Sequence, residues 1–464
     1  MTEWSTPSAP TMPEVTLVRG TVVTMNPSRS IIDDGAVAIS GTTIVAVGPF
    51  TDVVAEHAGA LVVGSADDLV VPGYINAHQH LTGDRLIQSS IPDNLPPGDA
   101  IFSWAVPVHA EHQPADDLLS ATLTLLEGLG NGITTTVEAG TVAHPDQVAA
   151  AARRVGARVT LGTWGWDVEQ GPFAAPAAEV LDRQRAVLAG NHGPLVTPWV
   201  TLVGHDLMSD ELVSGASALA RAEQTNLTFH LSPTTSDPQQ YLARTGRRPV
   251  EHLADLGVLG PELLIAHGVH LDDAEVALLT ETQTAVAACP WAYVRLGQGT
   301  TREFRHLDLW RGGGRVALGC DAENAGDSVD GLRAAALFAG LAKDVPMDPT
   351  IFGAHDAFEL LTIRGAEAIG MGDTIGSLEV GKQADVVVHD RSGLAWQPHA
   401  DDVILQLVWG SDGRSVREVY VAGRHVIADA ESTQVATAEL AEQAQAAGRA
   451  LLARAGIETT PRWR

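Results

Sequence analysis

At 464 residues with 45% hydrophobic composition, the chain can bury a large core and support more than one domain. The 29 Lys+Arg against 57 Asp+Glu leave a formal charge of −28, a surface that repels nucleic acid and anionic membranes, so neither is expected as a partner. Cys289 and Cys320 are too few for a disulfide framework, residues 1–13 hold no secretory signal and no run can cross a bilayer, so a soluble cytoplasmic protein is expected.

The first elements are short strands: Thr16-Leu17-Val18-Arg19, Thr21-Val22-Val23-Thr24, Ala36-Val37-Ala38-Ile39 and Ile44-Val45-Ala46-Val47, punctuated by Gly20, Gly35 and Gly41. Such turn-bounded runs suggest a small antiparallel unit. Then comes Val71-Pro72-Gly73-Tyr74-Ile75-Asn76-Ala77-His78-Gln79-His80, an apolar run ending in two histidines one residue apart. On a strand, residues i and i+2 face the same way, so His78 and His80 can present two imidazoles to one point. Neutral imidazole is the commonest ligand for a divalent metal.

From there strand and helix signals alternate. Strands are predicted at 134–137, 158–162, 196–200, 227–230, 263–267, 285–288 and 316–319, and helices at 116–129, 145–155, 177–188, 210–224, 250–256 and 272–280. With the strand ending at His78 this makes eight strand–helix units, which argues for an α/β fold closed as a (β/α)8 TIM barrel. Pro198 must sit at a strand end or bulge. The β-rich style returns at 376–388 and 416–424, so the two ends are expected to pair into one β-sandwich. The organisation read from this is a composite β-sandwich of 1–70 and 372–434, a catalytic barrel of 71–371 and a C-terminal helix within 435–464, whose packing on the core or on another subunit is left open.

Reacting groups of such a barrel project from the C-terminal ends of its strands. His78 and His80 close strand 1, His205 follows strand 4, His230 closes strand 5, His267 closes strand 6, and Asp321 follows strand 8. Three imidazoles and a carboxylate, completed by water, make a site for one divalent metal, Zn²⁺ first and Fe²⁺ second. Such an ion makes hydroxide available near neutral pH, and a nearby carboxylate and imidazole can move protons. Trp104, Trp164, Trp166, Trp291 and Tyr293 gather at predicted strand ends, where aromatic rings could line a flat apolar pocket. Glu323 is a further carboxylate near strand 8, more often a surface group than a base. His109, His112, His144 and His306 lie in polar segments and read as solvated, His270 reads as a helix-start residue, and both cysteines read as small buried hydrophobes. Gly312-Gly313-Gly314 lacks the lysine of a phosphate loop.

These motifs resemble the amidohydrolase superfamily, in its branch of cytosine, guanine and adenosyl-homocysteine deaminases and triazine hydrolases. The resemblance runs from Pro72-Gly73 through Asn76, His78 and His80, then Ser103-Trp104 with Pro107 and Glu111, Ala266-His267-Gly268-Val269-His270-Leu271, Gly319-Cys320-Asp321, and Gly376-Ser377-Leu378-Glu379-Val380-Gly381-Lys382-Gln383-Ala384-Asp385. It implies that His78, His80, His230 and Asp321 bind one metal, that His267 orients water and polarises substrate, and that His205 touches substrate; from their positions Trp104, Trp291 and Glu323 are taken as further candidate substrate contacts. It also implies a homodimer or larger homo-oligomer.

Two departures shape the expected chemistry. The branch carries Glu three residues after the strand-5 histidine, and here that position is Pro233, which has no proton to move. The Asn pair after the strand-8 Asp is replaced by Ala322-Glu323-Asn324, and no lysine stands at the strand-4 end to support a binuclear centre. The expected activity is therefore metal-dependent hydrolysis of a non-peptide C–N bond in a small cyclic or heteroaromatic compound, with Asp321 or else Glu323 moving the proton. A nucleobase- or triazine-type deaminase or chlorohydrolase is the alternative, and a non-catalytic scaffold ranks below both.

Overall fold

The computed structural model describes residues 14–168, 171–459 and 463. Residues 1–13, read above for targeting signals, and the end of the 435–464 segment lie outside the described residues.

The N-terminal strands are β1 (Thr16–Val23), β2 (Ile31–Ser40), β3 (Thr43–Pro49) and β4 (Leu61–Pro72). The barrel strands follow as β5 (Tyr74–Gln79), β6 (Ile133–Glu138), β7 (Arg158–Leu161), β8 (Val196–Pro198), β9 (Val200–Gly204), β10 (Leu227–Leu231), β11 (Leu263–His267), β12 (Ala285–Ala288) and β13 (Val316–Leu318). The chain ends with β14 (Val386–His389), β15 (Val416–Val421), β16 (Arg424–Ala428) and β17 (Glu431–Ser432).

The barrel strands are parallel and form two runs, β5-β6-β7-β8 and β9-β10-β11-β12-β13. Both seams are bridged. Between β8 and β9 the chain passes through Pro198, which has no N–H for a ladder bond, and Trp199. Trp199 N donates to Leu161 O at 2.8 Å on one side, and Val200 N donates to Asn226 O at 3.0 Å on the other, so one stretch serves as the fourth barrel strand. At the second seam Cys320 N and Asp321 N donate to His78 O at 3.2 and 2.9 Å, and Cys320 N also reaches Asn76 Oδ1 at 3.0 Å. The expected barrel is thus present, and its closing seam runs through the histidine motif.

Strand alternation explains why these runs are almost wholly apolar. Leu264, Ala285, Ala287 and Ala317 join Ile75, Ala77, Val137 and Trp199 in the barrel interior. Their neighbours Leu263, Ile265, Val286, Ala288, Val316 and Leu318 face the helical layer. Both faces are covered, so both are hydrophobic. Small alanines inside leave room for Trp199, which is fully buried. Each large aliphatic side chain sequestered this way contributes about 1.5–3 kcal/mol.

The terminal strands form one continuous eight-stranded sheet, ordered β17-β16-β15-β14-β4-β1-β2-β3. β14 pairs antiparallel with β4, joining the two ends of the chain. The sheet curls on itself: Gly423, in the β15–β16 turn, lies so close to the β2–β3 turn that an added Cβ would sit 2.0 Å from Gly41 O. Thr43 bridges to Gln383, and Val18, Ile39, Val70, Val386 and Tyr420 share one apolar cluster. The stretch 377–385 is mostly irregular rather than strand. The helix Thr437–Arg454 packs Leu440 and Leu451 into the core, and an added Cβ at Gly448 would sit 2.2 Å from Leu86 O.

Three histidines correct the sequence reading. His109, His112 and His306 are buried, not solvated, and His144 is partly buried. Neighbouring acids make this tolerable: Asp117 meets His112 Nδ1 at 2.5 Å and His144 Nδ1 at 2.8 Å, and Asp84 lies 3.5 Å from His109 Nε2. His306 Nε2 donates to the His267 carbonyl at 2.5 Å. His270 precedes its helix, which is capped by Asp272 and begins at Asp273, and its Nε2 donates to Gln298 O.

Candidate functional site

Five side chains converge at the C-terminal ends of the barrel strands. His78 Nε2 lies 3.6 Å and His80 Nε2 3.4 Å from Asp321 Oδ1, while His267 Nδ1 is 4.0 Å from Asp321 Oδ2. His230 Nε2 is 3.2 Å from His80 Nε2. The His78, His230 and His267 rings lie 4.8–5.3 Å apart, and their donor atoms all fall within 4.8 Å of one another.

Backbone geometry aims these groups. Gly319 lets the last strand approach the first: a Cβ there would lie 2.9 Å from His78 Cβ. Gly204, at φ +87°, passes so close to His230 that a Cβ would lie 2.1 Å from its carbonyl oxygen. His205, His267 and Asp321 adopt φ of +54°, +81° and +66°, conformations that cost non-glycine residues energy and that gather at functional sites. The rings are also braced from behind. His230 Nδ1 donates to Val203 O at 2.7 Å, leaving Nε2 with its lone pair toward the cluster. His80 Nδ1 meets Thr141 Oγ1 at 2.9 Å.

Electrostatics keep most of these imidazoles neutral. Burial, with neighbouring imidazoles, holds His230 well below the usual histidine range, and burial likewise lowers His267 and His78. Burial would also depress His80, but the Asp321 carboxylate, with Asp84 and Glu138, outweighs it and raises the group. Burial would raise Asp321, yet the His78 and His80 rings beside it, with His267, hold it well below the carboxylate range. Both ring nitrogens of His78 and Nδ1 of His267 are buried without a hydrogen-bond partner among the described residues. Such orphaned lone pairs around one carboxylate suit a divalent cation, which would satisfy them.

The remaining expected contacts are placed differently. His205, with part of its side chain exposed, stacks against His230 at 5.5 Å and is tied to Asp237. Glu323 is buried and accepts from Thr124 Oγ1 at 2.6 Å; burial pushes its carboxyl up to about 8, and Asp84 and Arg85 are its charged neighbours. Trp291 donates Nε1 to Arg333 O, and the Arg333 guanidinium covers its ring. Trp104 is half-buried in the segment Ala100–Ala105 and packs against the main core. Cys289 is buried with its Sγ near His78 and Asp321, and burial raises its thiol, which keeps it neutral. The sequence reading missed Asp237, Thr141 and Glu138, the last pushed up to about 7 by burial. Glu138 could have been noticed, since it closes a strand just as His78 does.

The amidohydrolase family pattern matches residues 69–426. The chain belongs to the amidohydrolase family. A bacterial imidazolonepropionase-like composite domain matches residues 35–60, which run through the end of β2, β3 and the short helix Phe50–Glu56. The 5-methylthioadenosine/S-adenosylhomocysteine deaminase of Syntrophobacter fumaroxidans is 30% identical over 420 residues, covering 90% of this chain and 93% of its own. The enzyme of that name from Moorella thermoacetica is 29% identical, covering 87% and 92%. Among solved structures, a zinc-bound adenosine deaminase from Xanthomonas campestris is 29% identical with a TM-score of 0.86, covering 96% of this chain and 100% of its own. Atrazine chlorohydrolase from Arthrobacter aurescens, with zinc, has a TM-score of 0.83 at 20% identity, covering 93% and 100%, a likeness of fold alone. This amidohydrolase is accordingly a hydrolase of carbon–nitrogen bonds other than peptide bonds.

Proposed function

We propose that this amidohydrolase uses one divalent metal, zinc first, to hydrolyse a C–N bond of a small nitrogen heterocycle. His78, His80, His230 and Asp321 would hold the ion; when bound, it would lower the pKa of water so that hydroxide is available near neutral pH. The reading is carried by the convergence of the imidazoles on Asp321, with buried nitrogens left unpartnered. We read 71–371 as the catalytic unit, supported by the composite sheet of 1–70 and 372–434 and by the helix within 435–464.

The protein groups then divide the work. Asp321 is anionic, and its Oδ1 also accepts from Ala322 N at 2.8 Å, which fixes the carboxylate. It takes a proton from the attacking water and returns it to the departing nitrogen. His267 stabilises charge developing on the attacked carbon's substituent. His205 contacts the ring of the substrate. Pro233 leaves Asp321 without a glutamate partner on the neighbouring loop.

The names of the relatives favour an exocyclic amine as leaving group, hence ammonia release. Ring opening of a cyclic amide is the second reading, favoured by Pro233. The test is metal analysis of the purified protein, then turnover of 5-methylthioadenosine, S-adenosylhomocysteine, adenosine, guanine, aminotriazines and cyclic amides, before and after chelation and zinc reloading. Ammonia release supports deamination, and loss of ring absorbance without ammonia supports opening. A protein that binds no divalent metal and shows no metal-dependent turnover overturns the proposal.

A further inference from the structure

A carboxylate with no role above is Asp237, seven residues past His230 and nearly fully buried. Its Oδ2 accepts from His205 Nδ1 at 3.0 Å and from Ser232 N at 2.7 Å. It therefore ties the end of β9 to the loop after β10. His205 and Ser232 both hold left-handed conformations, φ +54° and +52°, so the carboxylate secures two strained positions at once. The backbone around His205 is fixed as well. His205 N donates to His230 O at 2.8 Å, and Tyr241 Oη donates to His205 O at 3.0 Å.

With its Nδ1 edge tied to Asp237, the His205 ring has only Nε2 to offer, and 22% of the side chain remains exposed beside His230. Imidazole orientation is set by the bond its other nitrogen makes. We infer that Asp237 is a positioning residue, which fixes the tautomer and rotamer of His205 so that Nε2 faces the substrate. This deepens the hydrolase reading and rests on it. It also explains how the segment after β10 contributes to the site: a carboxylate in the first turn of the helix that follows the Pro233-bearing loop acts through the histidine just after the neighbouring strand.

The test uses the full-length, zinc-loaded protein with Asp237→Ala, Asp237→Asn, His205→Ala and the double variant. Asparagine can place its Oδ1 where Oδ2 now accepts both bonds, so D237N is expected to restore the geometry that D237A removes. The first readout is the two-bond ¹H–¹⁵N spectrum of labelled histidine at alkaline pH, with His205 assigned through H205A. Wild type and D237N are expected to show His205 with its proton on Nδ1, and D237A a mixture of tautomers. The second readout is kcat and KM for 5-methylthioadenosine. D237A is expected to lower kcat/KM about 10–100-fold, the range seen when a supporting hydrogen bond is lost, while D237N stays within about threefold. In the H205A background, D237A is expected to cost nothing further. An unchanged His205 spectrum in D237A, or an equal loss in both backgrounds, overturns the inference. Wild-type protein inert toward every compound tested overturns the parent reading instead and leaves the spectral result standing.

Discussion

Replacing Gly319 by alanine is expected to disturb the site without altering any group that meets substrate. A Cβ there would lie 2.8 Å from Cys289 Sγ, 2.9 Å from His78 Cβ and 3.1 Å from His78 N. Carbon atoms rest about 3.5–4.0 Å apart, so the overlap is about 0.6 Å or more. The neighbours cannot turn aside, because His78 and Cys289 are fully buried and the His78 carbonyl is bound to Cys320 N and Asp321 N. The last strand must shift instead, at about 1–3 kcal/mol for overpacking. A shift of about 0.5 Å reaches the tolerance within which a binding constellation works. G319A is therefore expected to lower the melting temperature by a few degrees and to weaken zinc affinity about 10–100-fold. Calorimetric zinc titration of chelated protein, with thermal melts of the apo and zinc forms, measures both. Wild-type affinity together with a wild-type melt would refute the claim that the β13–β5 seam sets the site.

Asp321→Asn is expected to slow turnover about 10²–10⁴-fold, while residual zinc reveals how much the histidines hold alone; undiminished turnover would remove Asp321 from proton transfer. Thr141→Val deletes the hydroxyl beside His80 Nδ1 and is expected to weaken zinc about 10–100-fold with little change in the melt, as equilibrium dialysis can show. Away from the site, burial pushes His389 down to about 3 while its ring meets Tyr74 Oη at 2.6 Å and Ser415 Oγ at 2.8 Å. The unfolded chain binds this proton first, so its stabilising contribution is complete above about pH 6.5 and falls by up to about 1.4 kcal/mol per unit as pH drops toward 3. Urea melts between pH 7 and 5 should lose part of that slope in His389→Gln, and an identical slope would contradict the assignment.

The barrel was legible because its strands are short apolar runs separated by amphipathic helices, and the histidines could be located because they end those runs. Partnerships between side chains were not legible, whether near or far in sequence, because loop conformation decides which groups meet. His112 looks solvated among polar neighbours until Asp117 is seen bonded to its ring. The helix Ser236–Thr245 went unseen because its sequence, Ser-Asp-Pro-Gln-Gln at the start, has few apolar residues to mark a face, and Asp237 was hidden with it. Glu323 and Trp291 lie close to the chemistry in sequence but turn toward Thr124 and Arg333, since side-chain direction after a strand end depends on loop conformation rather than spacing.

β4 runs into β5 with only Gly73 between them, and β14 is zipped along β4 from Leu69 to Pro72. The histidine-bearing strand is thus moored by a segment more than three hundred positions downstream. A ribosome must release nearly the whole polypeptide before that mooring can form. A transcript truncated ahead of β14 would leave the barrel's first stave unsupported, however intact its imidazoles.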